Sequence, residues 1–165
     1  MTRPYDSDTD AEALWELKRG FELGLGSGTG GDEKQAKYEG KLDDDYRTDW
    51  LEWVDRCVAD DERCVTVATA GDGDEHELAG YVFVLPERLA FIWDAAVLNE
   101  IYVRPEYRGT GVADDLMAAA VSLARDQALP LDRLVLDVDR ENERATAFYD
   151  RHGFAHWGEM VAREL

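Results

Sequence analysis

The sequence predicts an α/β domain around one mixed β-sheet, and the order of its patterns is what predicts it. Two amphipathic helical segments come first, then two β-branched strands joined by a turn, and the second half alternates strand and helix. A chain of 165 residues holds one sizeable core rather than two, so residues 1–165 are read as a single domain.

From Asp10 to Leu23, the residues Ala11, Leu14, Trp15, Lys18 and Phe21, with Leu17 beside them, recur at spacings of three and four and predict a helix. The glycine-rich stretch 24–31 has no apolar strand before it and no Lys-Ser/Thr after it, which predicts a flexible loop and not a phosphate loop. Trp50, Leu51, Trp53, Val54, Cys57 and Val58 form the stripe of a second helix over Tyr46–Ala59. Cys64–Thr69 and Leu78–Leu85 predict a strand pair that turns at Gly71–Asp74. Ala95–Val103 predicts the next strand, closed by Arg104-Pro105. A helix over Gly111–Ala128, a strand over Leu134–Val138 and a helix over Asn142–Arg151 follow, with Gly153 as a left-handed cap. Phe154–Trp157 and Met160–Leu165 are expected to form the last strand or strands, so that about four helices flank the sheet.

The charge is lopsided: 37 acidic against 18 basic residues give a formal net charge of -19. Such a chain repels duplex nucleic acid and anionic membrane surfaces, so neither is an expected partner. Only Lys18, Lys34, Lys37 and Lys41 are lysines, the other basic residues are arginine, and acids cluster at Asp43–Asp45 and Asp60-Asp61. That pattern suits a halophilic, high-salt cytoplasm, where salt screens the self-repulsion. No apolar run reaches membrane-spanning length and Met1–Asp10 is acidic and polar, so a cytoplasmic location is expected. Cys57 and Cys64, with six residues between them, lack the spacing of a zinc pair even with His152 and His156 as further candidate ligands, and no metal is expected.

The segment from Glu100 to Ala113 carries the chemistry. A strand enters a loop with Gly109 and Gly111, and an amphipathic helix begins within that loop. Small residues at 109, 111 and 113 let a backbone approach a ligand, and the unpaired amides of a first helical turn, with the helix dipole, suit a pyrophosphate. Arg104 and Arg108 add local positive charge in an acidic chain. The alternative is that the glycines only make a tight turn. A dinucleotide fingerprint would need glycine where Asp114 stands.

Arg108-x-x-Gly111-x-Ala113 resembles the acetyl-CoA signature of the GNAT N-acetyltransferase family, and it lies, as in that family, between the central strand and the longest helix. Asn142-x-x-Ala145-x-x-x-Tyr149-x-x-x-Gly153-Phe154 is similar to the family's second signature. The resemblance runs from Leu98 to Phe154; the N-terminal half matches in its order of elements only. It implies the GNAT fold and transfer of an acetyl group from acetyl-CoA to a primary amine of a small molecule or a protein. It further implies that Ile101, Tyr102 and Val103 line the pantetheine arm, that Arg108, Gly109, Thr110, Gly111, Val112 and Ala113 hold the pyrophosphate, and that Asn142 and Ala145 meet the cofactor from the second motif. Tyr149 is placed near the thioester sulfur, as an acid toward the departing thiolate.

An amine near the pKa of lysine is protonated at neutral pH and must lose a proton before it attacks. Glu100 matches an acidic position of the family's central strand and is the candidate base, acting directly or through water; a strand-borne Glu can equally be a salt-bridge partner or a substrate anchor. Asn99 beside it cannot accept that proton. Tyr38, Tyr46, Trp50, Glu87, Phe91, Trp93 and Asp94 are the aromatics and carboxylates available to a cationic acceptor, although core and surface roles suit them as well. A catalytically silent acyl-CoA-binding module would use the same pyrophosphate loop. A homodimer, paired through C-terminal strands, is the expected assembly.

Overall fold

The computed structural model of the chain describes residues 1–28, 31–71 and 77–165. Its sheet runs in the order β1 (Thr2–Pro4), β2 (Val65–Thr69), β3 (Leu78–Val84), β4 (Ala96–Val103) and β5 (Leu134–Val135). The first four are antiparallel to their neighbours and β5 is parallel to β4, so the sheet is mixed as expected. Every residue of β3 is buried, which requires cover on both faces. Helices α1 (Ala11–Gly28) and α3 (Asp44–Asp60) and helix α4 (Val112–Asp126) supply it; α5 (Glu143–Arg151) follows β5. Leu14 and Leu17 of α1, Val54 and Cys57 of α3, and Leu116, Met117, Ala120 and Leu123 of α4 are the helical part of the core. Cys57 and Cys64 are buried free thiols, both pushed up by burial, Cys64 to about 12, which keeps them unreactive near neutral pH.

Four expectations are corrected. Helix α1 continues through Gly24 to Gly28 where a loop was expected; Thr29 and Gly30 lie outside the described residues. A helix that periodicity does not signal, α2 (Gly31–Lys41), follows it, which makes five α-helices among the described residues. It is polar on all sides and is held by ion pairs: Lys34 to Asp139, Lys41 to Glu22, and Lys37 more loosely to Glu33 and Glu164. The strand expected over Leu134–Val138 shrinks to two residues. No strand forms after Gly153; Trp157, Met160, Val161 and Leu165 are exposed, because so short a β5 offers no ladder to extend. The predicted β2–β3 turn lies, beyond Gly71, outside the described residues, while Gly153 caps α5 at φ 83° as expected.

Asp10 ties the sheet edge to α1. Its carboxylate, fully buried, takes two bonds from the Arg3 guanidinium of β1 at 2.6 and 2.8 Å and one from the Asp6 amide at 2.9 Å. Burial opposes the charge, yet Arg3 and these bonds hold the carboxyl below the usual aspartate range. A depressed folded-state value adds stability above about pH 4, the unfolded value, and loses it as pH falls through the folded one. Asp10→Asn is therefore expected to cost about 2–3 kcal/mol at pH 7, with the gap to wild type closing below about pH 4, in urea unfolding followed by circular dichroism.

Candidate active site

The loop after β4 depends on backbone that only glycine adopts freely. Gly109 (φ 77°) and Gly111 (φ 91°) are left-handed, and a Cβ on either would meet nothing within 4 Å, so open space borders both. Gly111 is the N-cap of α4 and supplies no capping side chain, which leaves the amides of Val112, Ala113 and Asp114 facing outward without a helical acceptor. Thr110 donates its hydroxyl proton to the Tyr107 carbonyl at 2.6 Å and closes the turn.

Positive charge gathers at this mouth. Arg108 donates from Nε to the Val103 carbonyl at 3.1 Å, and its guanidinium lies 5.8 Å from the centre of the Tyr102 ring. Burial and the nearby Arg144 hold Arg108 below the usual arginine value. Neither arginine has a carboxylate ion pair among the described residues. Of the two acids in the first turn of α4, Asp114 and Asp115, the first is neutralised: Asp114 accepts from Arg151 at 2.5 Å and contacts His152 Nε2 at 2.7 Å, and His152 with Arg151 holds its carboxyl below the usual range. The end of α5 thus removes a charge that would oppose an anion at the start of α4.

Strand β4 opens beside this loop. Its parallel pairing with β5 covers only Ala96 with Leu134 and Val97 with Val135. On the β3 side the register slips between Phe83, opposite Glu100, and Val84, opposite Leu98, which leaves Asn99 as an extra residue. The Arg104 amide donates to the Ala79 carbonyl of β3 at 2.9 Å. By the two-residue alternation of a strand, Ile101 and Val103 then turn their backbone groups the other way, along an edge that β5 no longer covers. Close to this edge, Glu16, Tyr102, Arg104, Pro105 and Glu106 line an open cleft of about 270 Å³. A larger hollow of about 390 Å³ lies at the far end of α4, around Leu129 and Arg133.

Tyr149 sits edge-on between Phe148 and Phe154, at centroid separations of 5.5 and 5.6 Å. Burial alone pushes its phenol up to about 12, and its hydroxyl has no hydrogen-bond partner among the described residues. At neutral pH it is a donor without an acceptor. Asn142 accepts from the Ala145 amide at 3.1 Å, so its side-chain oxygen caps α5 and its NH₂ group is the part left for a ligand.

Glu100 lies in a buried charge cluster. It is 5% exposed, Lys18 is 2% and Glu22 is 3%. Lys18 Nζ stands 2.5 Å from Glu100 Oε1 and 2.6 Å from Glu22 Oε1, and Tyr81 donates to Glu100 Oε2 at 2.5 Å. Lys41 Nζ reaches Glu22 Oε2 at 2.7 Å and carries the cluster to the surface. Burial would strip the proton from Lys18, but Glu100 and Glu22 outweigh it and raise the ammonium above its ordinary value; burial likewise opposes the charge of Glu22, which Lys18 and Lys41 hold below the usual range. Burial and Glu100 keep Tyr81 protonated.

The acceptor-side candidates fall into two groups. Tyr38 and Tyr46 flank the Lys41 ammonium, at 4.7 and 5.4 Å from the ring centres, and Trp50 packs on Trp15 and Lys18. Glu87, Phe91, Trp93 and Asp94 belong instead to the turn before β4, which is fastened to the segment after α4 through Glu87 with Ala128 and Asp94 with Leu131. Sequence reasoning missed Glu22, Tyr81 and Arg144 and counted Lys18 only as a stripe position. A lysine and a glutamate four apart within an apolar stripe were the one available signal.

A family model described as the acetyltransferase (GNAT) family matches residues 31–154. A mycothiol acetyltransferase of Salinispora tropica is 29% identical over 94% of this chain and 55% of its own length. A 5-NmdU N-acetyltransferase of Pseudomonas phage PaMx11 is 38% identical over 41% of this chain and 45% of its own. The chain thus spans about half the length of these curated relatives. Among solved structures, an N-acetyltransferase of Thermoplasma acidophilum in complex with coenzyme A superposes with a TM-score of 0.71 at 21% identity, over 94% of this chain and 89% of that one. An aminoglycoside 6'-N-acetyltransferase of Acinetobacter haemolyticus does so at 0.65 and 16%, over 100% and 97%. The chain belongs to the acetyltransferase (GNAT) family.

Proposed function

We propose that this chain transfers the acetyl group of acetyl-CoA to a primary amine of a small molecule or a peptide. The observation that carries this reading is the uncapped start of α4, with two left-handed glycines and two arginines that form no carboxylate ion pair among the described residues, placed directly beside the uncovered edge of β4. The amides of 109–113 take the pyrophosphate, with Arg108 offering its guanidinium because its own amide is bonded to the Pro105 carbonyl; Ile101 and Val103 pair with the pantetheine amides as an added strand would, and Tyr102 borders the same arm. Asn142 and Ala145 approach from α5.

The amine nitrogen, once deprotonated, forms a bond to the thioester carbon while the carbon–sulfur bond breaks. The amine's proton goes toward Glu100, through water because that carboxylate is buried, and the thiolate receives a hydrogen bond from Tyr149. A phenol pushed up to about 12 is a poorer acid than a thiol at about 8.5, so it contributes that hydrogen bond, and any proton it lends the departing sulfur is replaced by the second proton that the acetylated nitrogen sheds. No metal enters this scheme.

A second reading has its own observation. Both oxygens of Glu100 are engaged by Lys18 and Tyr81, which suits an anchor rather than a base and fits a silent acyl-CoA-binding sensor. The acceptor side offers carboxylates and aromatic faces, which favour a cationic amine. Residues 1–165 act as one domain in this reading, in a cytoplasm of high salt, with a homodimer as the assembly and neither nucleic acid nor membrane as partner. Among the described residues no helix is long and apolar enough to cross a membrane.

CoA release from acetyl-CoA, followed with a thiol reagent across a linear diamine, an aminoglycoside and a peptide amine, is expected for wild type. Glu100→Gln and Tyr149→Phe are expected to lower kcat by about 10²-fold or more each, with the acetyl-CoA KM little changed. Wild-type protein that binds acetyl-CoA but acetylates no amine would leave the sensor reading. The salt reading predicts a thermal midpoint that climbs between about 0.1 and 1 M KCl as the screening length contracts from about 10 to about 3 Å; a flat response would remove it.

A further inference from the structure

Lys18 occupies a place in the apolar stripe of α1 where a leucine or methionine would suit the core, yet it is an ammonium between two buried carboxylates. A buried ion pair of this kind gives little net stability over an apolar packing of the same volume, so stability alone does not account for it. The chain draws most of its positive charge from arginine and places one of its four lysines here. A compact ammonium fits the space: it lies 2.5 and 2.6 Å from the two carboxylates and 5.2 Å from the ring centres of both Phe21 and Trp50.

The same helix crossing sets a second contact. Two residues beyond Lys18, the face of Gly20 is so close to β4 that a Cβ there would stand 2.5 Å from the hydroxyl oxygen of Tyr102, itself two residues beyond Glu100. Lys18 on Glu100 and Gly20 on Tyr102 are therefore one interlock between α1 and the open end of β4. The groups that face Glu100 are Lys18 from α1, Tyr81 from β3 and Asn99 on β4, with Glu22, the Lys41 ammonium of α2 and the Tyr46 hydroxyl of α3 next to them.

We propose that Lys18 is a positioning residue for acetyl transfer: by pairing with Glu100 and Glu22 it holds the Glu100 carboxylate, and the α1–β4 crossing with it, in line with the uncovered edge that takes the acyl donor. The inference rests on the acetyltransferase reading and on the part Glu100 plays in it. Lys18 touches neither substrate, and its effect passes through Glu100. A kcat loss with unchanged donor binding is its signature, whereas a merely structural lysine would weaken donor binding and stability along with turnover.

The test compares Lys18→Met, Lys18→Arg and the double variant Lys18→Met/Glu22→Met, which removes the uncompensated second carboxylate should the single variant fail to fold. CoA release with the amine panel gives kcat and KM, and calorimetry gives the acetyl-CoA Kd. The expected result is a kcat lowered between about 10- and 100-fold in a folded Met variant, acetyl-CoA Kd within about two-fold of wild type, and partial recovery of kcat in Lys18→Arg, which keeps the charge. A folded Met variant, single or double, with wild-type kcat overturns the proposal, as does a kcat loss matched by an equal loss of acetyl-CoA affinity. Wild-type kcat in Glu100→Gln overturns it by removing the group Lys18 acts through. Wild-type protein that releases no CoA with any amine instead brings down the acetyltransferase reading itself.

Discussion

The site depends on one strand changing its company partway along. β4 is paired with β3 from Leu98 to Val103, but β5 accompanies it only at Ala96 and Val97. A strand whose outer backbone groups lose their partner inside a domain needs another source of hydrogen bonds. In this chain the loss coincides with the slip at Asn99, which turns Ile101 and Val103 toward the gap, and with a loop that brings the first turn of α4 alongside. An extended amide-bearing ligand ending in phosphate answers both needs.

Electrostatics work in the same direction. A net charge of -19 disfavours an anion site on average, so the local departures stand out: Arg108 and Arg144 form no carboxylate ion pair among the described residues, and Asp114 is occupied by Arg151 and His152. α1 presents the opposite case, a cation enclosed by acids. The Lys18 cluster joins α1, α2 and β4 through alternating charges and reaches β3 through the Tyr81 hydroxyl.

Much of this was legible in the sequence where a signal was local. The stripes of α1, α3 and α4 and the β2 and β3 runs come from spacing that each element carries by itself, while the two signatures around Arg108–Ala113 and Asn142–Phe154 are legible as a resemblance to a known family. α2 was not legible, because Gly31–Lys41 has no apolar face and its lysines find acids in other elements. β1, three residues long, is below what periodicity resolves, and the strands expected after Gly153 fail because β5 stops after Val135. Glu100 was visible as an acid on the central strand. Its partner Lys18 is 82 positions away in the chain, and nothing local marks the pair.

If the start of α4 and the edge of β4 together form an acyl-CoA site, calorimetric titration of the protein with acetyl-CoA in molar KCl detects it. Gly111→Glu serves as the control, since its side chain fills the open cradle with a charge that repels pyrophosphate and its backbone must hold φ 91° at a cost of about 1–3 kcal/mol. Saturable binding near one site per chain, lost in a Gly111→Glu variant that remains folded, is the predicted result. Folded wild-type protein that takes up no acetyl-CoA, or a variant that binds it as tightly as wild type, would rule out an acyl-CoA site at this place.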